Sequence, residues 1–153
     1  MNAVAASAPI AARLVETLYT EAMLLADETR SYFDQAGITE RNALPARQRV
    51  EFACEALKGT TRLMQLIAWL LVRKAVAAGE LSDMAADAPQ RRLGDAPPLD
   101  PEMVADLPAT AKRLLIAGAD LYARVRKIDE GIVDPPVVPS PARSLLERLE
   151  RSL

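Results

Sequence analysis

Arg62-Leu63-Met64-Gln65-Leu66-Ile67-Ala68-Trp69-Leu70-Leu71-Val72-Arg73 is apolar at nearly every inner position, so as a helix it carries greasy surface all the way round. Ten residues between arginines fall far short of the roughly 20 that a bilayer span requires, which excludes a transmembrane reading. A helix of this kind needs several neighbours, and a helical bundle supplies them. Pro45 opens the segment and Gly79 sits just past Ala78, where a helix C-cap is expected. The predicted helix over 45–78 is then roughly 51 Å long. Arg73 and Lys74 near its end suit the helix dipole. Gly59 inside it marks a close contact or a bend.

Outward from this rod, the spacing predicts two more long helices. The first runs from about Pro9 to about Asp34, with Gly37 beyond it as a stop and Leu14, Leu18, Leu25, Thr29 and Phe33 at helical spacing. The third runs over about 108–128, with Ala111, Leu114, Leu115, Gly118, Leu121, Tyr122 and Val125 on its inner side and Gly131 as its stop. Ala and Leu dominate the composition and aromatics are only 4%, both in keeping with an all-α protein. The expected architecture is a three-helix bundle of long antiparallel helices over 9–131. Residues 1–8 are expected to be a disordered end, 132–141 a Pro-rich linker, and 142–153 an amphipathic tail.

The connection from Gly79 to Leu107 is too long to be structureless in a compact domain. Short helical turns are expected at about 82–86 and 101–105, with 90–98 the most mobile stretch.

Lys58, Arg62, Gln65, Trp69, Val72 and Val76 form one stripe of the long helix, while Leu57, Met64, Ala68, Leu71 and Ala75 form another. The second stripe is expected to meet the other two helices. Trp69, Val72 and Val76 then need a different cover, either a second subunit or the 79–107 connection, and packing alone does not choose between them.

Catalytic chemistry finds little support. The chain has no His, which removes imidazole bases, Ser-His-Asp triads and His-based metal sites together. Its six Gly are isolated, so no phosphate-cradling loop can be built and no cofactor is expected. Glu51 and Glu55 lack the Glu-x-x-His partner of a di-metal bundle and read as solvated or paired carboxylates. Cys54, the only Cys, is expected to be a small core residue. Thr60 and Thr61 are expected to bond their own backbone.

Nineteen Lys and Arg against 21 Asp and Glu give no pull toward nucleic acid or anionic membrane. Lys112, Arg113, Arg124, Arg126 and Lys127 nevertheless make the third helix locally basic. A small helical DNA-binding transcription regulator is therefore the competing reading, opposed by the acidic balance and the lack of helix-turn-helix spacing. In the tail, Leu145, Leu146, Leu149 and Leu153 form an apolar stripe behind a stiff spacer, suited to a partner's groove or to the tail's own bundle.

Thr60-Thr61-Arg62-Leu63-Met64-Gln65-Leu66, then Trp69-Leu70-Leu71, Ala75-Val76 and Gly79-Glu80, resembles the signature of the RcdA family, the regulators of CtrA degradation of α-proteobacteria. Met23 with Glu28-Thr29, Tyr32 and Asp34, and Leu121-Tyr122-Ala123-Arg124-Val125 with Asp129, agree with it. The resemblance covers about 12–129 and matches the connection and the tail only loosely. It implies a dimeric three-helix bundle in the cytoplasm without catalytic activity. Such a protein is an adaptor that helps deliver cell-cycle regulators to the ClpX-ClpP protease. It works with a response-regulator-like priming factor and can support a second adaptor that binds cyclic-di-GMP. On this reading Trp69, Val72 and Val76 are expected at the subunit contact. Arg62, Arg73, Lys74, Leu145, Leu146, Leu149 and Leu153 are expected to meet partners.

Overall fold

The computed structural model describes residues 2–133 apart from residue 97, and the side chains of 11–131 apart from that one. Among these residues the fold is all-α. Three long helices, α1 (Asn2–Asp34), α3 (Ala46–Ala77) and α6 (Ala109–Val133), are joined by the short helices α2 (Ala36–Asn42), α4 (Asp83–Ala86) and α5 (Pro101–Ala105) and a 3-10 turn at Pro89–Arg91.

Local chemistry sets the helix ends where the sequence carries a stop or a start. Gly79 takes the left-handed conformation at φ 74°, which only glycine enters without a Cβ penalty. Around it Glu80 N–H donates to Ala75 C=O and Gly79 N–H to Val76 C=O, the paired bonds of a Schellman stop. Ser82 accepts from Ala85 N–H and Asp100 from Glu102 N–H, so the two turns expected in the connection are both there and both capped.

Three boundaries differ from the sequence reading. Helix α1 begins at Asn2 instead of Pro9: the Ala-rich lead-in is a good helix former and joins the helix through Pro9, although the proline costs that turn a backbone bond and crowds the preceding carbonyl. Helix α6 runs on past Gly131 to Val133, into the span expected to be linker. Gly37 lies buried inside α2 instead of standing beyond a stop. The chain breaks at Gln35 and restarts as α2, which a phenol bond from Tyr32 to the Glu40 carboxylate ties to α1.

Chain direction explains the long connection. Helix α1 is antiparallel to the other two: Glu28 pairs with Arg113, Glu21 with Arg124, and Glu16 with Lys74. Helices α3 and α6 instead run parallel, with Gly59 against Leu115, Gly118 against Leu63 and Trp69 against Asp129. Only two of the three neighbouring pairs are thus antiparallel. Two consecutive parallel helices oblige the intervening chain to travel back along the bundle, roughly 48 Å for the 32 residues of α3. Residues 79–107 make that journey, packing as they go.

The core falls into two clusters. One joins Leu18, Ala22, Leu66, Trp69, Leu70, Leu121, Tyr122 and Val125 with Leu93 of the connection. The other joins Tyr32, Phe52, Ala111, Leu114 and Leu115 with Val104 and Leu107. All seven residues expected on the inner side of α6 are buried. Gly59 lies where a Cβ would meet a Leu115 methyl at 2.6 Å, so it marks a close helix contact. Gly59→Leu is expected to cost about 2 to 3 kcal/mol by overpacking, read by urea denaturation; an unchanged midpoint would mean the two helices have room to part.

Burial, and after it the bond to Glu40, raises the Tyr32 phenol above its ordinary value near 10. Burial likewise raises Tyr122, whose hydroxyl donates to Gly94 C=O. The native state therefore holds these protons more tightly than the unfolded chain. Their contribution to stability is whole below about pH 10 and is lost as pH rises from there through the native values. Thermal melts from pH 8 to 11 should fall more gently for Tyr32→Phe than for the wild type, and equal slopes would remove Tyr32 from the alkaline response.

Candidate functional site

The face of α3 that turns inward is the opposite of the one expected. Phe52, Glu55, Gly59, Arg62, Leu63, Leu66, Trp69, Leu70 and Arg73 are buried. Val50, Leu57, Met64 and Leu71 are 64%, 69%, 67% and 48% exposed. Both stripes have helical spacing, so periodicity does not fix the phase. The first stripe, polar over its first half, was expected to lie away from the other two helices, yet long stems let charged groups enter a core when their heads find partners. Glu55 is buried and pairs with Lys58 at 3.1 Å. Arg73 is buried, lies 5.3 Å from the Trp69 ring centroid and donates to Asp87 at 2.8 Å.

Trp69 is 3% exposed, and its own chain provides the cover. Its Nε1–H donates to Asp129 Oδ1 at 2.9 Å. The Arg92 guanidinium closes over the same carboxylate, with Nε at 2.8 Å from Oδ1 and a terminal nitrogen at 2.9 Å from Oδ2, while also reaching the Asp129 C=O. This carboxylate first, and burial in the opposite sense, govern Arg92, whose affinity for its proton is raised. One buried carboxylate thus fastens together α3, α6 and the connection. The stretch expected to be most mobile is held here: Leu93 is buried, and Gly94 and Asp95 accept from Tyr122 and Arg126.

These positions revise the expected contact set. Trp69 belongs to the protomer's own core and is not available to a second subunit. Val72 and Val76 are half-buried beside it. Arg62 and Arg73 are buried, and Lys74 pairs with Glu16 and sits 4.0 Å from the Tyr19 ring centroid, so these three are not an open polar surface. Cys54 is exposed instead of lying in the core. Thr60 and Thr61 donate to the Ala56 and Leu57 carbonyls, as expected. Leu145, Leu146, Leu149 and Leu153 lie outside the described residues. A cleft of about 360 Å³ runs between α3 and the connection, lined by Gln65, Trp69, Val72, Arg91, Arg92 and Leu93.

The three arginines of α6 are engaged within the protomer. Arg113 and Arg124 pair with Glu28 and Glu21 of α1, and Arg126 pairs with Asp95 and Glu130. No helix among the described residues is long and apolar enough to cross a membrane.

A bundle with a sealed core and one long helix showing an apolar face outward is, as a class, a helical scaffold with a surface suited to protein contact. The chain belongs to the family described as "Protein of unknown function (DUF1465)", which matches residues 6–153. It is also similar to RcdA from Caulobacter crescentus CB15, whose crystal structure aligns with a TM-score of 0.65 at 33% sequence identity, covering 84% of this chain and 95% of that one. The resemblance read from the α3 motif and this likeness agree: the protein is RcdA-like. No curated protein matches the chain.

Proposed function

We propose that this protein is a non-enzymatic adaptor of regulated proteolysis. It works as a cytoplasmic homodimer, bringing cell-cycle regulators, directly or through a second adaptor, to a ClpX-ClpP protease prepared by a response-regulator-like priming factor. The observation that carries the reading is the likeness to RcdA over nearly the whole of that chain. The outward apolar face of α3 supports it, because an adaptor works through surfaces. Linking substrate and protease raises their local concentration, and two weak contacts suffice when joined. Leu145, Leu146, Leu149 and Leu153 are the proposed partner contact of the tail. The DNA-binding alternative is weakened because Arg113, Arg124 and Arg126, three of the five basic residues that prompted it, are held by carboxylates.

The test is capture of purified ClpX, with and without a priming response regulator, by the full chain and by a chain lacking residues 144–153. Binding that accelerates degradation of a regulator and weakens at least about 10-fold without the tail, at unchanged melting temperature, is the expected result. A full chain that neither binds ClpX nor alters degradation would overturn the reading, and a lowered melting temperature would assign the tail to the bundle itself.

A further inference from the structure

Val50, Cys54, Leu57, Thr61, Met64, Ala68, Leu71 and Ala75 follow one another at alternating spacings of four and three. That is the heptad period of a helix that packs lengthwise against another helix. Seven of the eight are exposed, and Ala75 is half-buried. The four large members leave on the order of 400 Å² of apolar surface open, within the range in which the largest patch of a protein is often functional. The seam is roughly 38 Å long, so a short peptide covers only part of it.

We infer that the occupant is the α3 seam of a second copy of this chain, laid antiparallel about a two-fold axis between Thr61 and Met64. The inference rests on the dimeric reading above and gives it a face, a direction and a register. Large and small side chains alternate strictly along the seam. About that axis Val50 meets Ala75, Leu57 meets Ala68, Met64 meets Thr61 and Leu71 meets Cys54, so each bulky side chain falls opposite a small one in the partner. The contact is self-complementary, as a two-fold interface must be. A parallel pairing in register would instead stack Leu57 on Leu57 and Ala68 on Ala68, leaving gaps between crowded layers. The large side chains of the two copies alone bring roughly 800 Å² into the contact, and the residues that flank the seam add to it toward the roughly 1,200 Å² at which specific interfaces begin.

Sedimentation of the full chain and its variants tests this. Leu57→Glu and Met64→Glu should each weaken self-association at least about 100-fold while leaving helicity and melting of the protomer intact, because both side chains are exposed there. In a Cys54→Ser background, Thr61→Cys mixed with Met64→Cys should form an intermolecular disulfide on oxidation. In the wild type the two Cys54 thiols should not, since the register separates them by about 25 Å. Dimers that survive both glutamates, that dissociate instead with Val72→Glu, or that cross-link through native Cys54 would overturn this pairing and leave the dimeric reading standing. A wild type that sediments as a monomer at micromolar concentration would overturn both.

Discussion

Replacing Trp69 with Ala is expected to destabilise the protein by about 4 kcal/mol, the largest loss of any single core truncation described here. Trp69 is buried, packs with Leu66, Leu70 and Val125, and lies under the Arg73 guanidinium. Its removal opens a cavity at the junction of α3, α6 and the connection, and strips Asp129 of one donor. Trp69→Phe keeps most of the ring volume and loses the donor, so about 1 to 2 kcal/mol is expected from it. Urea denaturation followed by circular dichroism reads both variants, since the chain has no other tryptophan to report by fluorescence. If Trp69→Ala unfolds at the wild-type midpoint, the indole is exposed in solution and the closed connection described above does not form.

The second large effect is expected at Asp129, where Ala should cost about 3 kcal/mol. The carboxylate is 2% exposed and holds Trp69 and Arg92 at once, so its loss leaves the Arg92 guanidinium beside the core without its counter-charge and the indole N–H without an acceptor. Asp129→Asn keeps an acceptor oxygen but not the charge and should fall between. Because both changes act on one network, Trp69→Phe and Asp129→Ala should combine to less than their sum, by about 1 kcal/mol in a double-mutant cycle. Strict additivity would mean that the hydrogen bond carries no energy. Loss of Asp129 should also free residues 89–96 to exchange their amide protons faster, whereas uniform exchange across the chain would deny the connection any separate motion.

Much of the fold was legible because its signals are local. Gly79 stops α3 through its own backbone conformation, the two capped turns sit where Ser82 and Asp100 place them, and the inner residues of α6 are apolar on one side only. The Thr-Thr-Arg-Leu-Met-Gln-Leu run carried the family. Helix ends at Pro9 and Gly131 were misread because one unfavourable residue costs less than the helix around it gains.

What the residue order alone determined is a set of long helices and an excess of apolar surface on the middle one. Which side of that helix faces in, and what covers Trp69, only the tertiary structure decided. Two stripes of α3 share the same period, and the one that turns inward finds its partners far along the chain: Asp129 accepts from the Trp69 indole and Asp87 from the Arg73 guanidinium, on a face that looks polar when read by itself. The stripe left outside is the greasier one, and it is free to meet another molecule because the protomer had already satisfied its charges on the other side.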